Sequence, residues 1–164
     1  MIIIADTSPI NYLVLTGFQE LLPTLFGQIL IPEAVLDELQ SPATPPAVKQ
    51  WIANRPQWLE VRKLITTPDL SLSHLDEGER EAIQMAQELS ADLLLIDEKA
   101  ARQEAAKRNI STVGTLGILD RAAEKGLVDF SQALHLLKRT SFYISVSVEQ
   151  FFLERDAQRK TKQS

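Results

Sequence analysis

The sequence predicts an α/β protein: three layers, α/β/α, built on a central parallel sheet. Short apolar runs without polar alternation recur along the chain, as in strands covered on both faces. Amphipathic helical patterns separate them. Around residue 97 the pattern runs strand, helix, strand within the span of a right-handed βαβ crossover.

In chain order, Ile2–Ala5 is the first buried strand, and a helix carrying Tyr12, Leu13 and Leu15 follows. Gln28–Ile31 is the second strand. Pro32 opens a helix whose apolar positions are Ala34, Val35, Leu36 and Leu39, since proline suits a first helical turn. The proline-rich stretch from Ser41 to Pro46 breaks two helices apart; its flanks are too small to be separate domains. A helix over Asp76–Leu89 turns Ala82, Ile83, Met85, Ala86 and Leu89 inward, and Asp76, Glu77 and Glu79 suit the dipole at its start. Asp92–Ile96, a helix over Lys99–Arg108 and Ile110–Val113 form the βαβ unit. Gly114-Thr115-Leu116-Gly117 lacks the lysine and spacing of a phosphate loop and reads as a strand-to-helix turn capped by Thr115. Helical patterns follow Thr115 and Asp129, then an apolar piece at Phe142–Val148. Residues 1–153 are expected to form one domain, and 154–164 a polar, basic tail without fixed structure.

Composition narrows the chemistry. With no cysteine there is no disulfide, thiolate site or cysteine nucleophile. His74 and His135 stand in no metal-ligand spacing and read as structural or surface residues. Residues 1–5 run straight into Asp6, too short for a signal peptide or membrane span, so the expected location is the cytoplasm. A formal charge of −5 argues against tight, nonspecific duplex binding.

The acids carry the most information. Ligands of open parallel sheets bind beyond the carboxyl ends of the strands, where Asp6 and Asp97 follow their apolar runs. Either could instead cap the helix that follows it. Glu38, with apolar neighbours on its helix, and Glu79, in a first helical turn, could join them. Four such carboxylates repel one another unless they take up protons or a cation. Hard ions such as Mg²⁺ or Mn²⁺ take oxygen ligands and support phosphodiester hydrolysis without histidine or cysteine. Aspartyl phosphotransfer, the competing enzyme class, wants a second aspartate two residues after Asp6, where Ser8 stands.

Ile2-Ile3-Ile4-Ala5-Asp6-Thr7-Ser8-Pro9-Ile10, Ile31–Leu39, Gly78–Ile83, Ala91–Glu98 and Val113–Leu119 resemble, in order, the blocks of PIN domains. These are metal-dependent ribonucleases found as VapC-like toxins of toxin–antitoxin pairs. The resemblance spans residues 2 to about 120. It implies an Mg²⁺- or Mn²⁺-dependent endoribonuclease whose metal-binding, catalytic acids are Asp6, Glu38, Glu79 and Asp97. Thr7 or Ser8 would steady the first ligand or a metal water, and Glu98 is an accessory candidate. Many relatives carry aspartate where Glu79 stands, so Asp76, Glu77 or Glu81 could take its place; Asp37 is assigned to the surface. The implied partners are single-stranded or structured RNA, a cognate antitoxin and a second copy of the chain. The alternative is a catalytically inactive PIN-like module that binds RNA or a protein.

Lys99 and Arg102 share a helical face and could guide a phosphate backbone. Lys107 and Arg108 read as a solvated face, and the basic residues of the tail could touch RNA. Trp51, Trp58, Tyr12 and Phe142 could stack on bases, although core or interface roles suit the tryptophans better; Tyr12, Leu13 and Leu15 are candidates for a dimer surface. Assigning four of the 22 acids to a cation site leaves 18 against 17 basic residues, a surface compatible with transient binding of single-stranded RNA.

Overall fold

Five short strands lie side by side in a computed structural model that describes residues 1–163. They are β1 (Ile3–Ala5), β2 (Ile29–Pro32), β3 (Leu59–Arg62), β4 (Leu93–Leu95) and β5 (Thr112–Val113), in the order β3-β2-β1-β4-β5. Every pairing is parallel. Ile3, Ile4 and Ala5 stand opposite Leu93, Leu94 and Leu95, so β1 and β4 end level with each other. The chain builds outward from β1 through β2 and β3, then returns to its other side for β4 and β5. That reversal puts the crevice of the sheet between the ends of β1 and β4.

Side chains alternate across the sheet. Ile3, Ala5, Ile29, Ile31, Leu93 and Leu95 face a core shared with α1 (Thr7–Thr16), α3 (Glu33–Leu39), α4 (Pro46–Ala53), α7 (Thr115–Glu124) and α8 (Phe130–Lys138). Ile4, Leu30 and Leu94 face a second core with α5 (Glu77–Glu88) and α6 (Lys99–Lys107). The three layers are those expected. Burying a side chain such as Ile3 or Leu94 contributes roughly 1.5–3 kcal/mol, so the strand ends that carry the acids are firmly held.

α2 (Leu21–Phe26), a single short helix containing Pro23, and the edge strand β3 escaped the sequence pattern. A larger difference lies at the C-terminus. Residues 154–163, expected as a loose tail, are the second half of α9 (Val146–Gln163). Arg159 is buried and reaches Glu124 at 2.7 Å, Asp156 at 3.0 Å and Asp120 at 3.2 Å. Arg155 meets Asp120 at 2.9 Å, and Lys160 meets the buried Asp156 at 2.9 Å. Buried charges persist when paired; α7 supplies acids to match the helix's bases. Arg155, Arg159 and Lys160 are therefore engaged in ion pairs within the chain. Among the described residues no helix is long and apolar enough to cross a membrane.

Candidate metal centre

Asp6 extends the β1–β4 ladder by one bond, its N–H donating to Leu95 O at 2.8 Å. Its side chain therefore leaves the sheet at the crevice. Asp6 occupies the N-cap position of α1, yet its carboxylate caps nothing. It is 5% exposed, and Oδ1 has no hydrogen-bond partner. Burial pushes its pKa up to about 7, and the charges of Asp76, Glu38 and Asp97 add to the rise.

Glu38 is half-buried on α3. Thr7 Oγ1 donates a short hydrogen bond to its Oε2, and Gly78 N–H donates to Oε1 at 3.0 Å. Burial raises its pKa, and Asp76 and Glu77 raise it further against those two hydrogen bonds. Gly78 lies in the first turn of α5. A Cβ there would stand 2.5 Å from Glu38 Oε1 and 2.6 Å from Oε2, so this seat excludes any other residue unless the carboxylate moves.

Asp97 follows β4 and Ile96. Its capping alternative is answered in an unexpected way: it caps α7, not the helix that follows it. Thr115 N–H donates to Oδ1 at 2.7 Å, while Thr115 Oγ1 and Ser8 Oγ donate to Oδ2 at 2.7 and 2.8 Å. Thr115, read from the sequence as the cap of its own helix, is the first residue inside it; Gly114 holds the cap position.

Glu79 is 7% exposed, and its Oε2 is buried without a partner. Burial, then Asp76 and Asp6, push its pKa up to about 9. The three rival acids have other situations. Asp76 caps α5 by accepting the Glu79 N–H at 2.8 Å and is exposed. Glu81 accepts Ala34 N–H at 3.2 Å in the first turn of α3. Glu77 is exposed, as are Asp37 and Glu98.

The crevice thus gathers Asp6, Glu38, Glu79 and Asp97 within one electrostatic neighbourhood. Among the described residues, no three acidic or histidine side chains converge closely enough to hold an ion as they stand.

Residues 2–158 match the family described as DUF3368, PIN domain. The chain belongs to the PIN-domain family. No curated protein and no solved structure gives a significant match. PIN domains have a nuclease-like fold and usually bind divalent metals. The residues here fit such an ion: the donors are all oxygen, and Asp6 Oδ1 and Glu79 Oε2 are buried carboxylate oxygens that no described residue satisfies.

The sequence of this PIN domain pointed to Thr7 or Ser8 as the support of the first ligand, Asp6; Thr7 instead holds Glu38 and Ser8 holds Asp97. Gly78 and Thr115 carried no sequence signal as supports of the acids, because their partners lie 40 and 18 positions away in the chain. Several other candidates pack elsewhere in the fold. Trp51 and Trp58 pack on each other and on the first core. Tyr12 meets Phe142 edge-on and hydrogen-bonds Ser141; Leu13 is fully buried, and Tyr12 and Leu15 are partly buried against the first core. Lys107 and Arg108 pair with Glu104, His74 lies 3.5 Å from the same glutamate, and His135 is exposed on α8.

Proposed function

We propose that this PIN domain is a metal-dependent endoribonuclease that hydrolyses RNA phosphodiester bonds, acting as the toxin of a toxin–antitoxin pair. The observation that carries the nuclease reading is the pair of orphaned, buried carboxylate oxygens on Asp6 and Glu79, set in an acidic crevice at the switch point of the sheet. When bound, Mg²⁺ or Mn²⁺ supplies charge neutralisation and an activated water for phosphodiester hydrolysis. Asp6 and Glu79 would hold it, with Glu38 and Asp97 completing the acidic wall. Thr7 and Gly78 N–H keep Glu38 turned inward; Ser8 and Thr115 do the same for Asp97. Asp6 and Glu79 hold protons well above the ordinary carboxylate range, and binding a cation would require them to give these up. The toxin role, the antitoxin, a homodimer and a cytoplasmic setting rest on the family resemblance.

Purified protein should cleave 5′-labelled RNA with Mg²⁺ or Mn²⁺ and stop in EDTA. Unchanged cleavage by the Asp6→Asn, Asp97→Asn double variant would overturn the mechanism. One observation favours the inactive-module reading: no three acids converge on a common ion position. Calorimetry with Mn²⁺ separates the two, since the module would bind none.

A further inference from the structure

Arg102 lies on α6, one turn beyond Lys99. Its guanidinium comes back over the crevice beside Gly114. A Cβ built on Gly114 would stand 2.7 Å from Asp97 Oδ1 and 3.2 Å from Arg102 Nη1, so carboxylate and guanidinium flank the same backbone atom. Opposite charges this close ordinarily close into a charge-assisted pair. Here they do not. The acid across Gly114 is already satisfied: Asp97 takes hydrogen bonds from Ser8 Oγ, Thr115 N–H and Thr115 Oγ1, all between 2.7 and 2.8 Å. Among the described residues, the Arg102 side chain has neither an ion-pair nor a hydrogen-bond partner, and the residue is exposed. The contrast within α6 is sharp, because Lys107 and Arg108 are both held by Glu104.

An acidic crevice repels a polyanion. A phosphate entering it needs a fixed positive group as well as a cation, and a planar guanidinium with all its donors uncommitted suits phosphate oxygens. We propose that Arg102 binds substrate, donating to a non-bridging oxygen of an RNA phosphate at the mouth of the crevice. Gly114, by lacking a side chain, lets Arg102 and Asp97 reach the same edge. This assignment rests on the nuclease reading and adds to it the group that receives the RNA backbone.

The test compares wild type with Arg102→Ala, Arg102→Lys and, as a control on the same helix, Lys107→Ala. Fluorescence anisotropy with single-stranded RNA, in EDTA and in Ca²⁺, gives affinity over a salt series. Arg102→Ala should weaken binding about tenfold and lower the slope of log K against log salt by about 0.7, the loss of one phosphate contact on a single strand. Arg102→Lys should retain the slope but not the full affinity, and Lys107→Ala should change neither. In cleavage assays KM should rise more than kcat falls. Arg102→Ala with wild-type affinity, salt slope and KM overturns the assignment while leaving the nuclease reading intact. A wild-type protein that neither binds nor cleaves RNA overturns both.

Discussion

Replacing Asp6 by asparagine should make the metal-free protein more resistant to alkali, although it removes a central ligand of the proposed site. The folded chain holds the Asp6 carboxyl at about 7 against an ordinary 3.8, chiefly because it is buried. A carboxyl whose pKa is raised by folding leaves stability untouched below its unfolded value. It subtracts progressively as pH rises toward its folded value, and fully above it. Above pH 7 the ionised Asp6 therefore costs about 4 kcal/mol, and near pH 5 about 1.5 kcal/mol. Between pH 5 and pH 8 the variant should gain about 2.5 kcal/mol relative to wild type. For a chain of this size that is roughly 5–10 °C in melting temperature. The unpaired amide of asparagine carries its own penalty, but this does not change with pH and drops out when the two conditions are compared. Thermal melts of both proteins in EDTA at pH 5 and pH 8 supply the measurement. A variant-minus-wild-type difference that is the same at both pH values would refute the burial argument. Adding Mn²⁺ at pH 8 should reverse the ranking, since only wild type regains stability by binding.

Gly78→Ala should leave the melting temperature within about 4 °C, because alanine favours the first turn of α5 by up to about 1 kcal/mol. It should nevertheless lower Mn²⁺ affinity at least tenfold in calorimetry, since its Cβ occupies the seat of the Glu38 carboxylate; wild-type affinity would show that Glu38 needs no such seat. Arg159→Met should destabilise by about 3 kcal/mol in urea denaturation, leaving Asp120 and Asp156 buried with Arg155 and Lys160 as their remaining cationic partners among the described residues. A loss below about 0.5 kcal/mol would mean that α9 is held by its apolar contacts alone.

What the sequence disclosed follows from burial. Ile3–Ala5 and Leu93–Leu95 are covered on both faces, so they read as unbroken apolar runs, and Asp6 and Asp97 are conspicuous at their ends. β3 pairs on one side only; its Leu59-Glu60-Val61-Arg62 alternates with half its residues toward solvent, too brief a signal to stand out. α9 misled for a different reason. Asp156 and Arg159 look like a solvated helix face, and their burial depends on Asp120 and Glu124, more than thirty positions away. The site divides in the same manner. Its acids could be picked out from strand position and family resemblance, whereas the grip of Thr115 on Asp97 required the fold to bring β4 and α7 together.

The two gripped acids tie the crevice to both helical layers at once. Glu38 is fastened to α5, which packs on one face of the sheet, and Asp97 to α7, which packs on the other. A shift of either layer by a few tenths of an ångström must drag one carboxylate relative to its neighbour. Core substitutions far from the crevice, such as Ile83→Val beneath α5 or Leu119→Val beneath α7, would then change divalent-ion affinity from opposite sides. The spacing of the acids is in this sense a gauge of how tightly the sandwich is closed.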